Sequence, residues 1–149
     1  MRVYHFRLSL ALLISPVSSL ASQTPCDTAS TQTDMNICAQ QVAARSNERL
    51  RSLLADLRTR LDSSRFGQLS RVQAQWQAYR KAHCDWEGEG FAGGSVAPAV
   101  VSNCFAAVTE ARIEELKIHL CEGEGMTGEC APSHRYDRPQ PSKHDKSGH

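Results

Sequence analysis

The sequence has no C-x-x-C pair among its six cysteines, no G-x-S-x-G turn and no apolar run long enough to cross a bilayer. The first absence removes the paired-thiolate zinc sites and, with no C-x-x-C-H, covalent haem. The second removes the sharp turn on which many serine hydrolases mount their nucleophile. Nowhere do apolar and polar residues alternate for long enough to make a half-buried strand. Neither sign of charge is in excess, since 17 Lys and Arg face 16 Asp and Glu. A near-neutral chain is a poor nucleic-acid ligand, because phosphate-backbone binding draws on concentrated positive charge.

What the chain does have begins at its N-terminus. Arg2 and Arg7 flank the start of an apolar stretch, LSLALLISPVSSLA, and Ser19 and Ala21 occupy the small-residue positions of a signal-peptidase site. The stretch is too short and too interrupted by Ser and Pro for a stable span. Cys26 lies too far beyond Ala21 for lipidation at the new N-terminus. Residues 1–21 are therefore expected to be a signal peptide, leaving a periplasmic or secreted chain that does not insert into a membrane. Cys26, Cys38, Cys84, Cys104, Cys121 and Cys130 all lie beyond the cleavage point, and an even count in a small exported domain predicts three disulfides. Six cysteines allow many pairings, and the count does not choose among them.

From Ser30 to Leu61 apolar residues recur at nearly three-four spacing: Met35, Cys38, Val42, Leu50, Leu53, Leu54, Leu57 and Leu61. Arg45, Arg49, Arg51, Arg58 and Arg60 lie mostly off that stripe. A second helix is predicted from Phe66 to Trp86, carrying Leu69, Val72, Trp76, Tyr79 and Cys84 on its apolar side. EGEGFAGGS, residues 87–95, reads as a glycine-rich loop. A third helix opens near Pro98 and presents Val101, Cys104, Phe105, Val108, Arg112, Leu116 and Leu120. The fold class expected is all-α, an antiparallel bundle of three main helices stapled by disulfides. The ends holding Cys84 and Cys104 are then adjacent, and CEGEGMTGEC reads as a small loop closed by Cys121 and Cys130. The helical domain spans 22–130. Residues 131–149, with almost nothing to bury, read as a disordered tail.

The stretch QAQWQAYRKAHC, residues 73–84, gathers Trp76, Tyr79, Arg80, His83 and Cys84. Aromatics on an apolar helical stripe belong to the core, so the cluster reads as structural. Arg80 and Arg112 fall on or near the buried stripes and are expected to tie helices two and three together. A Cys84–His83 nucleophile would need a free thiol and a shared face, and neighbouring helical residues point apart. His119 with Cys121, and the tail residues His134, His144 and His149, fit no fixed metal geometry. No enzyme activity, cofactor or metal site is expected.

The ordered set of motifs resembles a known family. C-x11-C in CDTASTQTDMNIC comes first, then Q-x2-W-x2-Y-R-x3-C in QAQWQAYRKAHC, GGS at 93–95, Cys104, and TEARIEELK at 109–117. Together they are similar to the LprI-type lysozyme inhibitors, small exported helical domains, over about Cys26 to Leu120. The resemblance implies binding and inhibition of lysozyme. It also implies that Cys26, Cys38, Cys84 and Cys104 are the shared cysteines, with Cys121 and Cys130 an addition. Gln73, Trp76, Tyr79, Arg80, Arg112 and Leu116 are the motif positions. This chain departs from the family's habit at Asn47, where an Asp is common, and at Arg51, Leu54 and Lys81.

Charge is unevenly placed. Residues 45–81 hold nine Lys and Arg against three Asp and Glu, and residues 85–130 hold nine Asp and Glu against Arg112 and Lys117. An acidic surface over the 85–95 loop, helix three and the 121–130 loop would attract a strongly basic protein such as a lysozyme. The candidate contact is the segment 87–103, above all Gly93, Gly94 and Ser95 with Glu87 and Glu89. The competing readings are a non-enzymatic cell-envelope structural or stress protein and, third, a metal-binding periplasmic protein. Nothing in the sequence specifies an oligomeric state.

Overall fold

The computed structural model describes Cys26, residues 29–121 and residues 130–138. The expected signal peptide, most of the loop between Cys121 and Cys130, and the chain from 139 onward lie outside the described residues. The elements are α1 (Gln32–Arg60), α2 (Ser63–Glu89), α3 (Ala97–Lys117), a 3-10 turn (Ile118–Cys121) and the short α4 (Ala131–His134). Among the described residues there is no strand, in agreement with the all-α expectation.

Local chemistry sets the boundaries. Thr31 is extended, its hydroxyl accepts the Asp34 N–H at 3.1 Å, and the Asp34 carboxylate accepts the Thr31 N–H at 3.2 Å. This reciprocal cap satisfies two N–H groups that the first turn of α1 leaves open. The same bonds with Thr31 hold the Asp34 carboxyl below its usual value. Leu61 leaves the helix in an extended conformation, and Asp62 at once caps α2 by accepting the Arg65 N–H at 3.0 Å. Two residues thus reverse the chain. At its far end α2 continues through Glu89, into the stretch expected to be loop. Gly88 is helical and buried there because α3 crosses close by: a Cβ on Gly88 would meet Val101 Cγ2 at 2.5 Å. Helix α3 then starts at Ala97, with Pro98 in its first turn.

α3 is the central element. It runs parallel to α1, as the links Asn36–Ser95, Arg49–Glu110 and Arg60–Leu120 show. It runs antiparallel to α2, as Cys84–Cys104, Arg80–Thr109 and Arg112–Gln73 show. α1 and α2 meet each other mainly through side chains, among them Arg80 with Asn47 and Arg58 with Phe66. One half of the α1–α3 seam is filled by Leu50, Leu53, Leu57, Ile113, Leu116 and Leu120. The other half is built from small buried residues, Ala39, Ala43 and Ser46 on α1 with Ala99 and Ala106 on α3.

Three bridges close the fold: Cys26–Cys38, Cys84–Cys104 and Cys121–Cys130, with Cα separations of 5.2, 5.6 and 5.6 Å. All lie within the usual disulfide range.

Two expectations need correction. Residues 131–138 are not a tail with nothing to bury. Tyr136 is only 4% exposed and joins the leucine core, its hydroxyl donating to Asp56 Oδ2 at 2.7 Å. Arg49 donates to the carbonyls of Tyr136 and Asp137 at 2.7 and 3.1 Å, and Lys117 pairs with Asp137 at 2.6 Å. The folded domain therefore reaches at least Arg138. The second correction concerns the apolar stripes. Met35, Val72 and Tyr79 are exposed, the last at 58%. α2 instead turns Gln73, Trp76, Arg80, Cys84 and Gly88 toward α3, a face whose polar members hydrogen-bond across the seam.

Candidate functional site

With Tyr79 outside the core, the outer face of α2 becomes the feature to explain. Val72, Tyr79 and Trp86 lie seven residues apart, so two helical turns bring each back to the same face. Tyr79 stacks on the His83 ring with centroids 5.6 Å apart and an interplanar angle of 14°, and His83 meets Trp86 at 6.2 Å. Trp86 is 66% exposed. Trp and Tyr are among the residues most often found at the energetic centres of protein interfaces. The Cys84–Cys104 bridge pins this end of α2 to α3 between His83 and Trp86, so the aromatics stand on a rigid base.

Beyond Glu89 the connection to α3 is a run of tight turns. The Phe91 N–H donates to the Gly88 carbonyl at 3.0 Å, Gly94 to Phe91 at 3.0 Å and Ala97 to Gly94 at 3.2 Å. Gly93 has φ +79°, a left-handed conformation that disfavours any other residue. The Ser95 carbonyl accepts Asn36 Nδ2 at 3.0 Å, which anchors the loop to α1. Gly93, Gly94 and Ser95 are all exposed, and Phe91 and Val96 project beside them. Glu87 and Glu89 belong to the last turn of α2 rather than to the loop, at the same end of the molecule.

The acidic charge is more local than its distribution along the chain suggests. On α3, Glu110 pairs with Arg49 at 2.5 Å, Glu114 with Lys117 at 2.7 Å and Glu115 with Arg112 at 2.9 Å. Asp85 is matched by Lys81 at 2.5 Å. Glu87 has only His83, at 3.9 Å, and Glu89 has no ion-pair partner among the described residues. Among the described acidic residues from 85 to 115, those without a Lys or Arg partner, Glu87 and Glu89, lie where α2 ends.

The remaining motif residues face inward. Arg80 donates from Nη1 to Asn47 Oδ1 and Thr109 Oγ1, both at 2.6 Å, so one guanidinium joins α1, α2 and α3. It lies between the rings of Trp76 and Phe105, 4.8 and 5.3 Å from their centroids. Arg112 donates to Gln73 Oε1 at 3.2 Å and lies 5.7 Å from the Trp76 centroid. Leu116 is in the leucine core. Burial pulls the Arg80 guanidinium below its ordinary pKa, and its Nε, like Gln73 Nε2, finds no hydrogen-bond partner. These groups hold helices together.

For chemistry the site offers little. All six cysteines are bridged, so Cys84 has no thiolate to offer. Among the described residues no group of three His, Cys, Asp or Glu side chains could hold a metal ion, and no helix is long and apolar enough to cross a membrane. What the end of α2 can do is bind a surface. Sequence reasoning counted Tyr79 as core and so did not single out the exposed face it shares with Trp86. The seven-residue interval from Val72 to Trp86 was the available signal.

A family profile described as "Lysozyme inhibitor LprI" matches residues 24–116. A protein of Rhizobium meliloti (strain 1021), named only as uncharacterized, is 32% identical to this chain in an alignment covering 73% of it and 90% of the relative. No solved structure matches.

Proposed function

The chain belongs to the LprI lysozyme inhibitor family, and from that membership we propose that it binds a lysozyme through the end of the bundle where α2 passes into α3. The observation that carries this is the exposed Tyr79–His83–Trp86 face beside the uncompensated Glu87 and Glu89. Lysozymes are strongly basic, so the acidic groups speed encounter while the aromatics supply buried area once docked. Exposed Gly93 and Gly94 let the loop backbone approach the enzyme's substrate cleft, and inhibition is steric. Because the disulfide and the loop turns already fix this end, little ordering is lost on binding. The protein works outside the cytoplasm, after cleavage near Ala21.

The test is a titration of a basic animal lysozyme clearing a cell-wall suspension. The oxidised protein should abolish clearing near one-to-one stoichiometry, and less effectively as salt rises. Trp86→Ala should weaken inhibition by about thirtyfold or more, the loss typical of a central interface aromatic. Bulky replacements at Gly93 and Gly94 should weaken it without unfolding the domain. Full lysozyme activity at large excess of protein would refute the reading and favour the envelope-scaffold alternative.

A further inference from the structure

The seam between α1 and α3 changes character along its length. Leucines and Tyr136 fill one half. The half made of alanines and Ser46 leaves a surface trough. Two adjoining cavities, of about 540 and 460 Å³, share Val42 and Asn103 as lining residues and so form one groove. Its floor is apolar: Val42, Ala106 and Ala107 in one part, Met35, Ala39 and Ala99 in the other. Along α1 it reaches from Met35 to Arg49, about 20 Å at the helical rise.

Charge sits at one end only. Three arginines, Arg45, Arg49 and Arg138, and one carboxylate, Glu110, line the cavity nearer α4. Arg49 is committed to Glu110 and to the carbonyls of Tyr136 and Asp137. Arg45 and Arg138 are exposed and have no carboxylate partner among the described residues. The far part of the groove carries no charged group, and Met35 remains 46% exposed over it.

We propose that this groove binds a fatty-acid-like amphiphile, a single anionic head on an unbranched apolar tail. The carboxylate lies between Arg45 and Arg138, and the tail runs over Val42 and Ala106 toward Met35. A small inorganic anion would leave the apolar floor unused. An extended peptide would need polar partners for its backbone along the whole trough, and the uncharged polar side chains among its described lining are Gln32, Ser46 and Asn103. A cationic amphiphile would meet two uncompensated arginines. The combined volume falls in the range of ordinary ligand pockets. The charged end of the groove lies on the opposite side of α3 from its contact with α2, and only its far end reaches Val96, beside the loop of the proposed lysozyme-binding end.

The probe is sodium laurate, titrated below its micellar concentration into the oxidised protein by calorimetry. Saturable uptake of one laurate per chain is expected, with no uptake of dodecyltrimethylammonium. The double variant Arg45→Ala/Arg138→Ala should weaken laurate by about tenfold, as expected for two partly exposed charge contacts. Ala107→Phe, at an exposed helical position on the groove wall, should block it while leaving the far-ultraviolet spectrum and lysozyme inhibition unchanged. Absence of laurate uptake would overturn the proposal. So would equal uptake of the cation, laurate affinity unmoved in both variants, or capture of a glutamate-rich peptide in laurate's place.

Discussion

Arg80 carries a full charge into a half-buried seam and meets two neutral acceptors there, Asn47 and Thr109. Asn47→Asp changes one atom in that arrangement and places a carboxylate oxygen about where an amide oxygen now accepts, 2.6 Å from Nη1. At an effective dielectric of 20, opposite charges about 4 Å apart attract by about 4 kcal/mol. Desolvating the carboxylate takes back most of that gain. The expected net stabilisation at pH 7 is about 1 kcal/mol, roughly a fivefold smaller unfolding constant. Urea unfolding measures it as a higher midpoint at unchanged slope. The sign with pH follows from the new carboxyl, whose folded pKa lies below its unfolded value. The gain is present above about pH 4, the ordinary Asp value, and disappears as pH falls through the folded pKa. Arg80→Met supplies the control, since it keeps an unbranched stem between Trp76 and Phe105 but removes the charge. In that background Asn47→Asp should destabilise, because it buries a carboxylate with no cation. A midpoint that drops for Asn47→Asp alone at pH 7, or a gain that survives Arg80→Met, would refute the reasoning.

Three further outcomes are expected. Replacing Cys84 and Cys104 together by Ala opens a bridge of sequence separation 20 and should cost about 3 kcal/mol in thermal unfolding; a loss under about 1 kcal/mol would show that α2 is held by packing alone. Tyr136 ionises at about 12, raised by burial and by its bond to Asp56. Its contribution to stability is therefore intact below about pH 10 and drains away as pH rises toward 12. Tyr136→Phe should cost about 1 kcal/mol at neutral pH and abolish that alkaline loss, measured by unfolding across the window. Gly88→Ala sets a helix-propensity gain of about 1 kcal/mol against a contact with Val101 that must give way, and overpacking of about 2 kcal/mol wins. Adding Val101→Ala should reverse the sign, and a stabilised Gly88→Ala single variant would contradict the close crossing of α2 and α3.

The three long helices were legible because their signals are local: three-four spacing in α1 and Pro98 at the start of α3. The face of α2 was not. Counting apolar residues follows Val72 and Tyr79, whereas the packed face runs through Gln73 and Arg80, whose polar groups are satisfied only by residues far away in sequence. Tyr136 was invisible for a related reason. One aromatic in a polar segment makes no periodic pattern, and the groups that hold it and its neighbour Asp137, namely Arg49, Asp56 and Lys117, are spread over α1 and α3. Charge along the chain marked an acidic region broadly. The pairing of Glu110, Glu114 and Glu115 within the fold shows that the acidic side chains of α3 are compensated, which the order of charges along the chain does not reveal.

Each of the three bridges joins neighbours in chain order: first to second, third to fourth, fifth to sixth. None encloses or crosses another. A chain threading N-terminus first into an oxidising compartment therefore meets every correct partner as the next thiol to arrive. Random oxidation of six thiols would have to be reshuffled, on a scale of seconds to hours. Vectorial oxidation of this chain reaches the native set with no exchange step. Cys104 lies in the second turn of α3, so both thiols of the bridge that pins Trp86 beside the loop precede Ile113, Leu116 and Tyr136 of the core in chain order.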